Sequence, residues 1–97
     1  MHYVILFTDN PDADPAIRTR LMGAHLDFLE ANGDRILSAG PLREGDAPAG
    51  GMWVVDLAAA DEAKELVEAD PFWPTGLRAS WRVLAWRQVF ADGKRRV

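Results

Sequence analysis

His25 and Asp70 are the two residues of this chain whose types and positions suit proton-transfer chemistry. At about 100° per residue, His25 falls inside the apolar sector of a predicted helix, where Ile17, Leu21, Ala24, Phe28 and Ala31 form one stripe and Met22, Leu26 and Leu29 widen it. Thr19, Arg20, Gly23, Asp27 and Glu30 take the opposite face. Burial disfavours a charged imidazole and a nearby carboxylate favours it, so a histidine held between the two influences is suited to exchange a proton near neutrality. Asp70 is the plausible acidic partner. It closes a second predicted helix, where the dipole disfavours an anion, and projects between Ala63, Leu66 and Val67 on the inward side. Each residue has a bland alternative: a core histidine bonded to a backbone carbonyl, and an Asp-Pro turn with its carboxylate in water.

Other catalytic patterns are poorly represented. Ser38 and Ser80 are the only serines and neither stands in G-x-S-x-G, although Ser38 is placed near a strand end where it can touch a ligand. The Gly45 to Gly51 segment lacks the lysine of a phosphate-binding loop. His2 and His25 come from different elements without ligand-type spacing, so no metal site and no cofactor are expected. Of the four tryptophans, Trp73 alone lies in a predicted loop, where it can wall a small apolar pocket beside Asp70 with Phe72 and Pro74. Core and interface packing is the expected role of Trp53, Trp81 and Trp86.

The elements that must position these side chains follow from the pattern. Residues 2–8 read as a strand, ended by the turn formers Asp9 to Asp12. Asp14-Pro15 supplies a helix start and Asn32-Gly33 a stop. Arg35 to Leu42 and Met52 to Leu57 read as strands around a glycine-containing loop, and Ala58 to Ala69 as a helix stopped by Pro71. Arg78 to Phe90 interleaves Trp81, Val83, Leu84, Trp86, Val89 and Phe90 with arginines and reads as one long last strand. The order β-α-β-β-α-β predicts an α+β, ferredoxin-like sandwich with two helices on one face of a four-stranded antiparallel sheet.

Strand parity bears on assembly. Tyr3, Ile5 and Phe7 oppose Val4 and Leu6, and Trp53, Val55 and Leu57 oppose Met52 and Val54, so both sheet faces are apolar. Two helices cover one face only. A second copy packed sheet to sheet covers the other, which predicts a homodimer.

The bulk properties bound the functional class. At 97 residues the chain makes one domain, expected over residues 1–90 with a basic tail at 91–97. Of 11 lysines and arginines, three are Lys94, Arg95 and Arg96, so the rest of the chain sets 8 basic residues against 15 acidic ones and is expected to repel nucleic acid. The basic cluster itself reads as a frayed, solvated terminus. There is no membrane-length apolar run, the first residues do not read as a leader, and cysteine is absent, which together suggest a cytoplasmic protein.

In these residues the chain resembles the YciI-like, or YCII-related, family of small dimeric α+β barrel proteins. The carriers are Ala24-His25-Leu26 followed by Phe28-Leu29, then Gly33-Asp34-Arg35 leading into Ser38-Ala39-Gly40-Pro41-Leu42, then Asp70-Pro71-Phe72 with Gly76-Leu77, and Trp86 near Val89-Phe90. The resemblance implies a ferredoxin-like protomer, a dimer with facing sheets, and a pocket whose His-Asp pair is carried by His25 and Asp70, with Gly40 and Pro41 at its rim. It also implies a fold similar to that of muconolactone isomerases and a relative that dehydrochlorinates a chlorinated hydroxyhydroquinone. The chain departs from the family pattern in three places. Met22-Gly23 stand where an arginine is common, leaving Arg20, on the solvent side, as the nearest one; Ala85-Trp86 replaces Pro-Trp; and Trp73-Pro74 fills a stretch that is usually smaller.

The expectation is a cofactor-independent lyase or isomerase acting on a small cyclic or aromatic metabolite. His25 and Asp70 would be catalytic, with Ser38, Gly40, Pro41, Phe72 and Trp73 lining the substrate. A non-catalytic ligand-binding or interaction module, and a redox relative on the same barrel, are the alternatives.

Overall fold

The computed structural model describes residues 1–97. Its elements run β1 (His2–Asp9), α1 (Ala16–Ala31), β2 (Ile36–Glu44), β3 (Ala47–Asp56), α2 (Glu62–Ala69), a 3₁₀ turn (Trp73–Thr75), β4 (Arg78–Ala85) and a short pair, β5 (Phe90–Ala91) and β6 (Lys94–Arg95). The main sheet has the order β2-β3-β1-β4 with every neighbouring pair antiparallel, the ferredoxin-like arrangement. No helix is long and apolar enough to cross a membrane.

The alternation of β1 places Tyr3, Ile5 and Phe7 on the helix-covered face, opposite Val55, Trp53 and Gly51 of β3. These residues, with Ile36, Leu57, Ala63, Leu66 and Val67, make the core. Each fully buried large side chain contributes roughly 1.5–3 kcal/mol of apolar transfer. The outer face carries Val4, Leu6, Met52 and Val54, all half-buried, and the exposed Leu84.

Helix α1 begins as its sequence predicts. Pro15, immediately before the first residue of α1, already has helical dihedrals (φ −61°, ψ −20°) and a missing N–H there costs nothing, and the Asp14 carboxylate accepts the Ala16 N–H at 2.9 Å. At the other end Asn32 keeps a negative φ and caps with its side chain, Nδ2 donating to the Phe28 carbonyl at 2.9 Å. The inward face differs from the stripe read off the sequence: Ala24 and Ala31 are exposed, and His25 is the one buried residue of the helix. Methyl side chains do little to fix a helix's rotation, whereas an imidazole, Phe28 and Leu29 do.

The last strand is shorter than its composition suggests. β4 pairs only with β1, and β1 begins at His2, whose carbonyl takes the Trp86 N–H at 3.0 Å. Beyond that point the segment has no sheet neighbour. Asp92 and Gly93, with φ of 54° and 73°, instead form the tight turn that folds β5 onto β6. Lys94, Arg95 and Arg96 are exposed on this small hairpin rather than on a frayed end.

Candidate active site

The chain leaves α2 at Asp70, which has extended dihedrals (φ −66°, ψ 131°) and a carboxylate with no solvent exposure. Both oxygens of that carboxylate are engaged. Oδ1 lies 2.9 Å from His25 Nδ1 and accepts the Phe72 N–H at 3.1 Å, and Oδ2 accepts from Arg78 at 2.6 Å. Burial raises the Asp70 carboxyl, but the His25 hydrogen bond, the Arg78 charge and the Phe72 N–H together outweigh it and hold the group below the ordinary carboxylate range. Burial in turn pulls the Arg78 guanidinium down and Asp70 opposes it; a group so basic stays charged.

The loop joining Asp70 to Arg78 is fixed by its own hydrogen bonds. The Trp73 N–H reaches the Asp70 carbonyl at 2.9 Å, the Thr75 hydroxyl donates to the Phe72 carbonyl at 2.6 Å, and the Leu77 N–H returns to Thr75 Oγ1 at 3.2 Å. Asn10 ties this loop to the end of β1 through Gly76 and Leu77 carbonyls. Arg78 then lies over the Phe7 ring, 4.0 Å from its centroid.

His25 is oriented from two sides. Phe72 stacks on the imidazole with centroids 4.3 Å apart and planes at 22°, and Asp70 holds Nδ1. A carboxylate accepts, so Nδ1 carries the proton in this contact, which leaves Nε2 as the ring nitrogen open to a ligand. Nε2 has no protein partner and is not sealed. His25 lines a cleft of about 340 Å³ between α1 and the β2–β3 end of the sheet, within the range of small-molecule sites.

The structure gathers His25, Asp70 and Phe72 into one cluster, and His25, Gly40 and Pro41 line the cleft; Phe72, expected to line the substrate, is fully buried behind His25 and does not reach the cleft. Ser38 and Trp73 stand elsewhere. A bulge between Ile36 and Ser38 turns Ser38 to the outer face, opposite Val54, and Trp73 packs partly buried against the core.

Three charged residues at the cleft were not singled out from the sequence. Arg78 shares the odd face of β1 because its ladder partner is Asp9, across a bulge that skips Ala79. Simple alternation from Trp81 puts it on the other side. Arg18 precedes His25 by seven residues, two helical turns, so it stays on the same stripe, and that spacing was available as a signal. Asp9 lies between them, its Oδ2 accepting the Gly50 N–H at 3.1 Å. Gly50 has φ +88°, and a Cβ there would meet the Phe7 carbonyl oxygen at 2.1 Å, so this backbone approach admits no side chain. With Arg43 also at the rim, cations outnumber anions at the cleft of a chain whose net charge is −4.

The fold and this buried His-Asp contact define a small ferredoxin-like protein with a single-sided cleft. The chain belongs to the YCII-related domain family, whose sequence model matches residues 1–87. Among solved structures it is similar to 5-chloro-2-hydroxyhydroquinone dehydrochlorinase from Burkholderia phenoliruptrix AC1100 in complex with 2,5-dihydroxybenzoquinone. That chain is 28% identical, with a TM-score of 0.75 over 90% of this chain and 94% of the other. No curated protein sequence matches.

Proposed function

We propose that this protein is a cofactor-independent enzyme of the lyase or isomerase type, acting on a small, cyclic, acidic metabolite in the His25 cleft. The observation that carries the reading is the placement of His25: Nδ1 is held by Asp70, Nε2 has no protein partner, and the residue lines the cleft. Nε2 takes a proton from a ring carbon or oxygen of the substrate. The electron pair left behind either shifts the double bond, with the proton returned to another ring atom, or expels a leaving group such as halide. Asp70 stabilises the transient imidazolium. Because Arg78 already neutralises most of the Asp70 charge, orientation and tautomer selection are its larger contributions. Positioned proton transfer of this kind supplies about 10²–10⁴-fold in rate.

The similarity to a dehydrochlorinase of a hydroxyhydroquinone suggests 5-chloro-2-hydroxyhydroquinone as the first substrate to assay. Chloride release by the native protein, reduced at least about 100-fold in His25→Gln with the melting temperature preserved, is the expected result. Equal release by the two proteins would exclude the mechanism.

A non-catalytic binding module is the second reading. It is favoured by the saturation of Asp70, whose three contacts join α1, the α2 terminus and β4 as a structural staple would. Under that reading His25→Gln changes stability and ligand affinity but no reaction rate.

The functional assembly in this proposal is a homodimer with facing sheets. Its support is the outer face, where Val4, Leu6, Met52, Val54 and Leu84 lie together without a cover from their own chain. Sedimentation should give twice the chain mass, and Leu6→Asp should give the monomer.

A further inference from the structure

Two cations at the cleft, the exposed Arg43 and the half-buried Arg18, have no carboxylate within hydrogen-bond reach, and Arg18 is the one on the His25 stripe of α1. Its nearest carboxylate oxygen, Asp9 Oδ1, is 3.9 Å away, beyond hydrogen-bond reach, and the side chain is 42% exposed. Asp9 is not free to swing closer, because Gly50 holds its other oxygen. Arg78, by contrast, spends its charge on Asp70. The Arg18 guanidinium stands 5.7 Å from the centroid of Phe72, the same ring that stacks on His25. Along the axis of α1 the two residues are about 10 Å apart, the span of a single ring carrying a substituent.

Arg18 also marks the border of a second cavity. This space, about 680 Å³, shares Phe7, Asp9, Arg18, Pro48 and Gly50 with the His25 cleft and so continues it past the arginine. Its further walls are Pro11, Ala13, Pro15, Ala49 and Leu77, with the exposed Thr8 at its edge. Asn10 is there too, but its amide is already used: Nδ2 donates to the Gly76 carbonyl at 2.9 Å and Oδ1 accepts the Asp12 N–H at 3.0 Å. Beyond Arg18 the compartment therefore offers mainly rigid apolar surface.

We propose that Arg18 is an anion-binding, specificity-determining residue, and that the ligand of the His25 cleft is a cyclic acid with an apolar substituent. Its ring lies at His25, its carboxylate or phenolate-type oxygen pairs with Arg18, and the substituent enters the proline-walled compartment. The inference rests on the His25 cleft being the ligand site and names the chemical class that site selects. A bidentate guanidinium–oxyanion pair at a partly dehydrated position discriminates strongly between an acid and its neutral isostere.

The test uses the intact protein at pH 7 with three probes, salicylate, salicylamide and 6-pentylsalicylate, read by calorimetry and by the NMR signals of the His25 ring. Salicylate should bind at least about tenfold more tightly than salicylamide. Arg18→Gln should abolish that preference, and Arg18→Lys should restore part of it. 6-Pentylsalicylate should bind more tightly than salicylate, and Ala13→Trp, which fills the compartment, should remove the gain. If the probes move the His25 signals but Arg18→Gln keeps the acid preference, or the pentyl chain adds nothing, the Arg18 assignment is overturned and the His25 site stands. If no probe moves the His25 signals, both fall together.

Discussion

Arg78 and Asp70 are paired at 2.6 Å with side chains 8% and 0% exposed, so the carboxylate that orients His25 is itself locked to the sheet by a buried cation. The imidazole is thus one end of a chain of three charged or chargeable groups drawn from α1, the end of α2 and β4. Its geometry depends on a residue whose hydrogen bond goes to Asp70 and not to the imidazole.

Removing the buried cation should be costly. Arg78→Ala leaves Asp70 charged and uncompensated, and breaking a buried pair from one side typically costs about 3–5 kcal/mol. Urea denaturation of the variant should show a loss of that size. Arg78→Lys should recover only part of it, because an ammonium cannot match the planar contacts with Asp70 and the Phe7 ring.

Stability should fall on the acid side, and Asp70 should account for part of the fall. Its folded carboxyl lies below the ordinary range, so the unfolded chain binds the proton more readily. The stabilisation is complete above the ordinary carboxylate pKa and is lost as pH drops through the depressed folded value. Asp70→Asn should flatten this limb in urea titrations from pH 7 to pH 3. It should not erase it: Asp56, hydrogen-bonded at 2.7 Å to the N-terminal ammonium, is likewise lowered, chiefly by that bond and charge. An acid limb unchanged by Asp70→Asn would contradict the ionised, paired state of Asp70.

Gly50→Ala should destabilise the fold by about 1–3 kcal/mol, the usual range for a side chain forced into a positive-φ site, and more if the strand cannot shift. The added methyl would push β3 away from the Phe7 carbonyl and loosen the N–H that holds Asp9. Thermal unfolding measures the first effect. Anion affinity at the cleft reads the second and should change with it.

The fold was legible because its signals were local and mutually consistent. Asp14-Pro15 and Asn32 bounded α1, Pro71 stopped α2, and the alternation of residues 3–7 assigned the two sheet faces correctly. What parity cannot see is a bulge. One extra residue before Ser38 moved it to the outer face, and one before Ser80 brought Arg78 to the inner one. In both places the tertiary register, and not local alternation, sets the side of the sheet. The closing hairpin was missed for a different reason: Val89 and Phe90 look like strand, and the Asp92-Gly93 turn that redirects them is a two-residue signal inside a basic segment. The pairing of His25 with Asp70 was expected chiefly from the family resemblance, since each alone reads as readily as a packed core histidine and a solvated turn, whereas Arg18 and Arg78 sat among many arginines whose placement depends on tertiary register.

The central claim is that Asp70 fixes the proton of His25 on Nδ1 and leaves Nε2 for the ligand. The most direct measurement is the ¹⁵N chemical shifts of the His25 ring, recorded with and without 2,5-dihydroxybenzoquinone. A neutral ring protonated at Nδ1, with the Nε2 resonance moving on addition of the ligand and reverting in Asp70→Asn to a mixed tautomer, is the predicted result. A proton on Nε2 in the free protein, or an Nε2 resonance indifferent to the ligand, would contradict it.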